Sequence, residues 1–265
     1  MIAKPCSPLV ANLHPSPNFG PRKGIARPDI LLLHYTGMYV CEKAIGWLAN
    51  PQSGVSCHYV IDTDGRIAQM VAEDQRAWHA GVGSWQGHAD INSRSIGIEI
   101  HNLGHDQGYP EFPAEQMRAV ASLSRDIVQR WPIPAAQVLA HSDIAAFRKI
   151  DPGEKFDWAW LAREGVGLWV DPVPVDPADE GFGPDSREPI VADVQRQLAQ
   201  YGYGIEPTGT IDRQTTIVLR AFQRHFRPRR VDGRLDRSTA VTLARLVQNA
   251  TGQKVAGDRL RGTGV

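Results

Sequence analysis

Ile30-Leu31-Leu32-Leu33-His34-Tyr35-Thr36-Gly37 is the stretch that decides how this chain folds. Four consecutive apolar residues with no polar alternation describe a strand buried on both faces, as in a sheet covered by helices rather than one open to water. The run delivers His34 at its C-terminal end, just where the chain opens into Tyr35-Thr36-Gly37. In α/β folds the loops beyond strand ends carry the chemistry, and a histidine there is accessible while held by rigid backbone. His34 is therefore a candidate metal ligand, with a hydrogen-bonded structural histidine as the alternative. A second apolar run, Val138-Leu139-Ala140, ends in the same way at His141.

His141 opens a segment that continues through Phe147-Arg148-Lys149-Ile150-Asp151-Pro152-Gly153. Residues two apart in an extended chain point to one side, so Lys149 and Asp151 are expected to face a common cavity. Imidazole, carboxylate and ammonium gathered at one place are the parts of a hydrolytic metal site: two kinds of ligand, and a cation to steady charge developing on a substrate oxygen.

Between these runs the chain alternates elements. Residues 42–49 read as a helix closed by Asn50-Pro51, and Cys57–Val71 as a hairpin around the turn Asp62-Thr63-Asp64-Gly65. Cys57 and His58 are adjacent, but neighbours in a strand point to opposite faces, which argues against a thiol-imidazole nucleophile. Trp78-His79-Ala80-Gly81 and Trp85 form an aromatic, glycine-rich loop between strands that carry candidate site residues. A surface lid and a substrate-binding role are both open to it. In Ser95-Ile96-Gly97-Ile98-Glu99-Ile100, Glu99 faces away from Ile98 and Ile100. A carboxylate inside an apolar strand is costly without a partner, which makes Glu99 the general-base candidate, against a buried pair with an arginine such as Arg94. Residues 114–131 repeat apolar side chains at helical spacing and stop at Pro132 and Pro134, and residues 157–165 read as a short closing helix.

With 265 residues, 42% hydrophobic and formally neutral, the chain has room for one full domain and a small one. The composition excludes a disordered or membrane-spanning protein. Residues 1–29 lack periodicity and are expected to wrap a surface rather than form core. The first eight residues hold no apolar run of signal-peptide length, so no export or lipid-anchor signal is expected. Three cysteines, Cys6, Cys41 and Cys57, cannot make a complete disulfide framework.

Taken together, Leu33-His34-Tyr35-Thr36, Arg76-Ala77-Trp78-His79-Ala80-Gly81-Val82, Ser95-Ile96-Gly97-Ile98-Glu99-Ile100 and His141-Ser142-Asp143-Ile144-Ala145 through Arg148–Gly153 resemble the zinc-dependent N-acetylmuramoyl-L-alanine amidases of the AmpD/AmiD type. That family is related to phage T7 lysozyme and the peptidoglycan-recognition domains. The resemblance spans about residues 28–168, and its blocks occur in the family's order. It implies an α/β fold with a mixed central β-sheet flanked by helices. It also implies a Zn2+ cofactor with His34, His141 and Asp151 as ligands, Glu99 as catalytic acid/base, and Lys149 as oxyanion stabiliser. Tyr35, Trp78 and His79 would contact the substrate. Asn92-Ser93 departs from the Asn-Asp that many members carry before Ser-Ile-Gly-Ile-Glu, a change expected to act on loop hydrogen bonding rather than on chemistry.

Beyond residue 170 the character changes. Asp171-Pro172-Val173-Pro174-Val175-Asp176-Pro177 opens a segment, residues 171–187, that reads as an extended, semi-rigid interdomain linker. Gly209-Thr210-Ile211-Asp212-Arg213 then recurs 24 residues later as Gly233-Arg234-Leu235-Asp236-Arg237. Each aspartate sits where a helix N-cap belongs and an apolar-periodic run follows, giving with the helix around Val194 a small three-helix domain over 188–250 and a flexible tail over 251–265. This part resembles the peptidoglycan-binding domain found at the ends of wall hydrolases, through Val194-Gln195-Arg196-Gln197-Leu198, Tyr201-Gly202-Tyr203 and Ala221-Phe222-Gln223. It carries ten Lys and Arg against six Asp and Glu, while residues 1–187 carry sixteen against twenty-two. Long-range attraction of the basic part to an acidic glycopeptide wall is one reading of Arg224, Arg227, Arg229 and Arg230, and a solvated helix end is the other. No nucleic-acid readout motif accompanies the cluster.

The chain is thus expected to hydrolyse the muramoyl-L-alanine amide of peptidoglycan or muropeptides, with no nucleic-acid partner, no membrane span and no obligate protein partner inferred. Two other readings stand beside it: a non-catalytic peptidoglycan sensor, and a zinc peptidase cutting within the stem peptide. A wall-binding domain points to the envelope, and the absence of a visible leader points to the cytoplasm.

Overall fold

The Ile30–Tyr35 run forms β3, and in the computed structural model, which describes residue 2 and residues 4–252, it lies inside a six-stranded sheet. The other strands of that sheet are β1 (Asn12–Leu13), β4 (Tyr59–Ile61), β5 (Ile67–Gln69), β7 (Ser95–Ile100) and β8 (Val138–Ala140). Their order is β1-β5-β4-β7-β3-β8. β3 pairs in parallel with β7 and β8, while β4 and β5 form the expected antiparallel hairpin, so the sheet is mixed. β2 (Phe19–Pro21) and β6 (Gln75–Ala77) make a separate antiparallel pair. Residues 1–29 therefore supply short strands to both sheets, and Ser7, Ser16 and Asn18 are buried, so this stretch is more than a wrapping. The backbone donors of an irregular segment need partners, and here sheet edges provide them.

Register is what positions the chemistry. His34 on β3 stands opposite Glu99 on β7, and Leu33 stands opposite Ala140 on β8. His141, the residue after Ala140, consequently emerges beside His34 at the same end of neighbouring parallel strands.

The helices are α1 (Cys41–Leu48), α2 (Ile91–Arg94), α3 (Ala114–Arg130), α4 (His141–Ile144) and α5 (Trp158–Arg163), then α6 (Pro189–Tyr201), α7 (Arg213–Phe226) and α8 (Arg237–Thr251). Side chains of β3 alternate between two cores, as strand geometry requires. Leu31 and Leu33 pack with Val120, Leu123 and Ile127 of α3 and with Leu161 of α5. Ile30 and Leu32 join Trp85, Leu139 and Ile144 in one apolar cluster with Val194, Leu198, Val218 and Phe222 of α6 and α7. The C-terminal helices thus cover part of the second sheet face. Among the described residues no helix is long and apolar enough to cross a membrane.

Asp212 and Asp236 cap α7 and α8, each accepting the N–H of the residue three further on at 2.7 Å. The repeat extends to two wholly buried glutamines. Gln195 accepts from the Gly209 N–H and donates to Thr210 O and Thr215 Oγ1; Gln223 accepts from the Gly233 N–H and donates to Arg234 O and Thr239 Oγ1. One amide side chain therefore locks each turn to the helix before it.

Residues 171–187 form no helix, but they are tied along their length to the helices they precede. Val173 exchanges hydrogen bonds with Thr242 and Ser238, Arg230 and Arg234 donate to Asp179 O and Gly181 O, and Phe182 pairs with Leu235. Gly181, at φ 63°, lies so close that an added Cβ would come within 2.7 Å of the Asp236 nitrogen. The segment is a strap rather than a free tether. Of the tail 251–265, Thr251 ends α8 and Gly252 follows; residues 253–265 lie outside the described residues.

Candidate metal centre

Three side chains from two strand ends and one loop converge. His34 Nδ1 lies 2.9 Å from His141 Nδ1, and Asp151 Oδ2 lies 3.0 Å from His141 Nδ1 and 3.3 Å from His34 Nδ1. All three are buried. Burial, reinforced by neighbouring His141, lowers the pKa of His34 to about 4, so its ring is neutral near pH 7.

The outer partners assign the ring protons. Ser95 spends its single hydroxyl proton on Ile91 O at 2.7 Å, so it can only accept from His79 Nε2, 3.2 Å away. Burial, with His34 and His58 close by, pushes His79 well below the usual imidazole range. A neutral His79 with its proton on Nε2 has a bare Nδ1, which accepts from His34 Nε2 at 2.9 Å. On the other side, His141 Nε2 faces the carbonyl of Ala80 at 3.0 Å, a partner that can only accept. Arg148 donates to the same carbonyl, which explains the 3.3 Å between its Nη2 and His141 Nε2.

With Nε2 directed outward in each ring, the two Nδ1 atoms turn inward toward each other and toward the Asp151 carboxylate. Three buried ligand atoms gathered this closely are matched to a cation. Two imidazoles and a carboxylate are the donor set of a hydrolytic zinc site that keeps a fourth position for water or substrate, and the outer hydrogen bonds are those that orient ligating histidines.

The triad opens into a cleft of about 200 Å³ that Tyr35, Trp47, Trp78, Glu99 and Lys149 also line. Lys149 and Asp151 share it, as their spacing implies. Glu99 Oε2 is buried and, among the described residues, has no hydrogen-bond partner. Burial first, then the negative charge of Asp151, raises its carboxyl well above the ordinary value, with Lys149 pulling the other way. Arg94, the alternative partner for Glu99, is instead paired with Asp29.

The aromatic loop divides between two tasks. Trp78 and His79 line the cleft, but both ring nitrogens of His79 are engaged by protein, so its ring is a wall of the site. Gly97 leaves the room this needs, since a Cβ there would fall 2.4 Å from His79 Nδ1. Trp85 is wholly buried against Tyr201 and Tyr203 of the C-terminal part, and so is not a lid. Cys57 is not part of the cleft lining; its Sγ lies near Tyr59 O, and burial raises its thiol. Trp47, the Ala80 carbonyl and Ser95 belong to the site or its support and were not apparent as such in the sequence. Only the position of Ser95 two residues before Gly97 and four before Glu99, on one strand face, could have pointed to it.

Comparison with known proteins places this geometry. Residues 25–154 match the N-acetylmuramoyl-L-alanine amidase family, and residues 187–243 match the peptidoglycan binding domain family. N-acetylmuramoyl-L-alanine amidase AmiD of Escherichia coli is 35% identical over 235 residues, 84% of this chain and 83% of the relative. The structure of E. coli AmiD in complex with anhydro-N-acetylmuramic acid-L-Ala-D-γ-Glu-L-Lys superposes with a TM-score of 0.71 at 32% identity, over 89% of this chain and 99% of the other. AmpDh3 of Pseudomonas aeruginosa in complex with an anhydromuramic pentapeptide superposes with a TM-score of 0.72 at 34% identity, over 86% and 94%.

Proposed function

The chain belongs to the N-acetylmuramoyl-L-alanine amidase family, and from that premise we propose that it hydrolyses the amide joining the lactyl group of N-acetylmuramic acid to L-alanine, in peptidoglycan or in muropeptides. The convergence of the His34 and His141 Nδ1 atoms on the Asp151 carboxylate is the observation that carries this reading. We assign zinc to His34, His141 and Asp151. When bound, zinc supplies Lewis acidity, polarising a carbonyl and making water a nucleophile near neutral pH. Glu99 takes the proton of the attacking water and returns it to the departing amine of L-alanine, a task suited to its raised pKa. Lys149, on the wall of the same cleft, faces the oxygen that becomes negative. Tyr35 and Trp78 offer aromatic surface to the sugar and peptide. Residues 1–170 carry the amidase and 188–250 bind the wall polymer, with 171–187 as the strap between them; the family match over 187–243 supports the second assignment.

Two measurements test this. Chelator-treated protein is expected to lose turnover and regain it with added Zn2+. Mass spectrometry of digested muropeptide is expected to show free peptide beginning at L-alanine beside intact glycan. Cuts inside the stem would establish a peptidase instead, and binding without turnover a sensor.

A further inference from the structure

The two ligand histidines take their outer hydrogen bonds from consecutive residues: His34 from the His79 ring, His141 from the Ala80 carbonyl. One side chain fixes that dipeptide. Asn92 Oδ1 accepts the N–H of His79 at 2.9 Å and the N–H of Ala80 at 2.8 Å, and the residue is buried. Asn92 sits in the single turn α2, whose first residue Ile91 offers the carbonyl that orients the Ser95 hydroxyl under His79. The turn itself is capped by Asp90, which accepts from the Ser93 N–H and hydroxyl and is held by Arg76. Backbone and ring of His79 are thus both set from the short stretch 91–95, the backbone by Asn92 and the ring by Ser95.

We propose that Asn92 is a positioning residue for the metal centre, acting with Ser95 through His79 and Ala80 to hold both ligand histidines with Nδ1 turned inward. This inference rests on the assignment of His34, His141 and Asp151 as metal ligands. Loss of the Asn92 acceptor frees the dipeptide, and both imidazoles lose their outer anchors at once. Loss of the Ser95 hydroxyl affects His34 alone.

The test is the affinity for Zn2+ alone, by chelator competition on the full chain, together with the 15N signals that distinguish histidine tautomers. Asn92→Ala is expected to weaken Zn2+ binding by about 10- to 100-fold, within the range usual for outer-shell partners. Asn92→Asp keeps an acceptor for both N–H groups, beside the Arg22 guanidinium that already contacts the Asn92 carbonyl, and is expected to restore affinity. Ser95→Ala is expected to weaken binding and to disturb the His34 signals but not those of His141; it carries the test if Asn92→Ala does not fold. Wild-type affinity in Asn92→Ala or in Ser95→Ala, with or without reduced thermal stability, overturns the positioning role. Failure of the wild-type chain to bind Zn2+ overturns the ligand assignment itself.

Discussion

Asp143, within the histidine-bearing turn α4, and Asp151, in the loop that follows it, are both buried, yet they face opposite surroundings. Asp151 looks into the cleft at the Nδ1 atoms of His141 and His34. Asp143 looks the other way and is fully supplied. It accepts from the Ala140 N–H at 2.8 Å, from the Tyr203 hydroxyl at 2.7 Å and from His225 Nδ1 at 2.7 Å, the last two belonging to the C-terminal part. A buried carboxylate whose partners are all spent on it is finished structure; one grouped with two inward-facing imidazole Nδ1 atoms is the donor set of a cation site. One face of α4 is therefore a site and the other a seam.

The sharpest way to break this contrast is at the cleft. His141→Ala removes a ligand and is expected to abolish both Zn2+ binding and turnover, whereas Glu99→Gln is expected to keep the metal while lowering kcat by about 10²–10⁴. Paired metal analysis and muropeptide kinetics decide it, and retained turnover in Glu99→Gln would refute the role given to that carboxyl.

At the seam the effect falls on stability. Asp143→Ala leaves Tyr203 and His225 as buried donors without their acceptor, and a cost of about 2–5 kcal/mol is expected from denaturant unfolding. Trp85→Ala, which empties the pocket between Tyr201 and Tyr203, is expected to cost roughly 3–5 kcal/mol. Zn2+ affinity of the folded Trp85→Ala protein is expected to stay within about threefold of wild type, because separated sites act independently. A seam variant that loses the metal as readily as His141→Ala would erase the distinction between the two faces.

The same contrast explains what could be read from the sequence. Strand ends announce themselves: Ile30–Leu33 and Val138–Ala140 are apolar runs that stop at a histidine, and parallel pairing then brings His34 and His141 together. Asp151 and Lys149 follow from spacing, and Glu99 from its place in an apolar strand. The seam has no such mark. Asp143, Tyr203 and His225 are 60 and 82 residues apart and each has an ordinary local role, so only the folded chain shows that they meet. The alternation of β3 between two cores was equally hidden, since a run of Ile and Leu says that both faces are covered but not by what. Asn92 was visible only as part of a loop motif, because an acceptor for backbone N–H groups leaves no periodic trace.

A third buried aspartate sharpens the comparison with the smallest effect. Asp236 accepts the Thr239 N–H at the start of α8 and lies 3.3 Å from Arg227, with Arg230 also paired to it. Burial alone would raise its carboxyl, but the Thr239 hydrogen bonds and the two guanidinium groups prevail and hold it below the ordinary carboxylate range. Its charge is thus met by cations that belong to the chain, where Asp143 relies on hydrogen-bond donors and Asp151 joins two imidazoles in a set that fits a metal ion. A carboxyl with a depressed folded pKa contributes stability that is fully present above the unfolded value, about 3.9, and is lost as pH falls through the folded value. Asn also serves as an N-cap, so Asp236→Asn removes chiefly the charge and is expected to cost about 1–2 kcal/mol at neutral pH. The gap between wild type and Asp236→Asn should then hold steady at neutral pH and close on acidification below about pH 4. Unfolding measured across that range checks the sign. A gap that widened with acid would mean that burial outweighs the Thr239 hydrogen bonds and the two guanidinium groups, and that Arg227 and Arg230 do not supply the compensation.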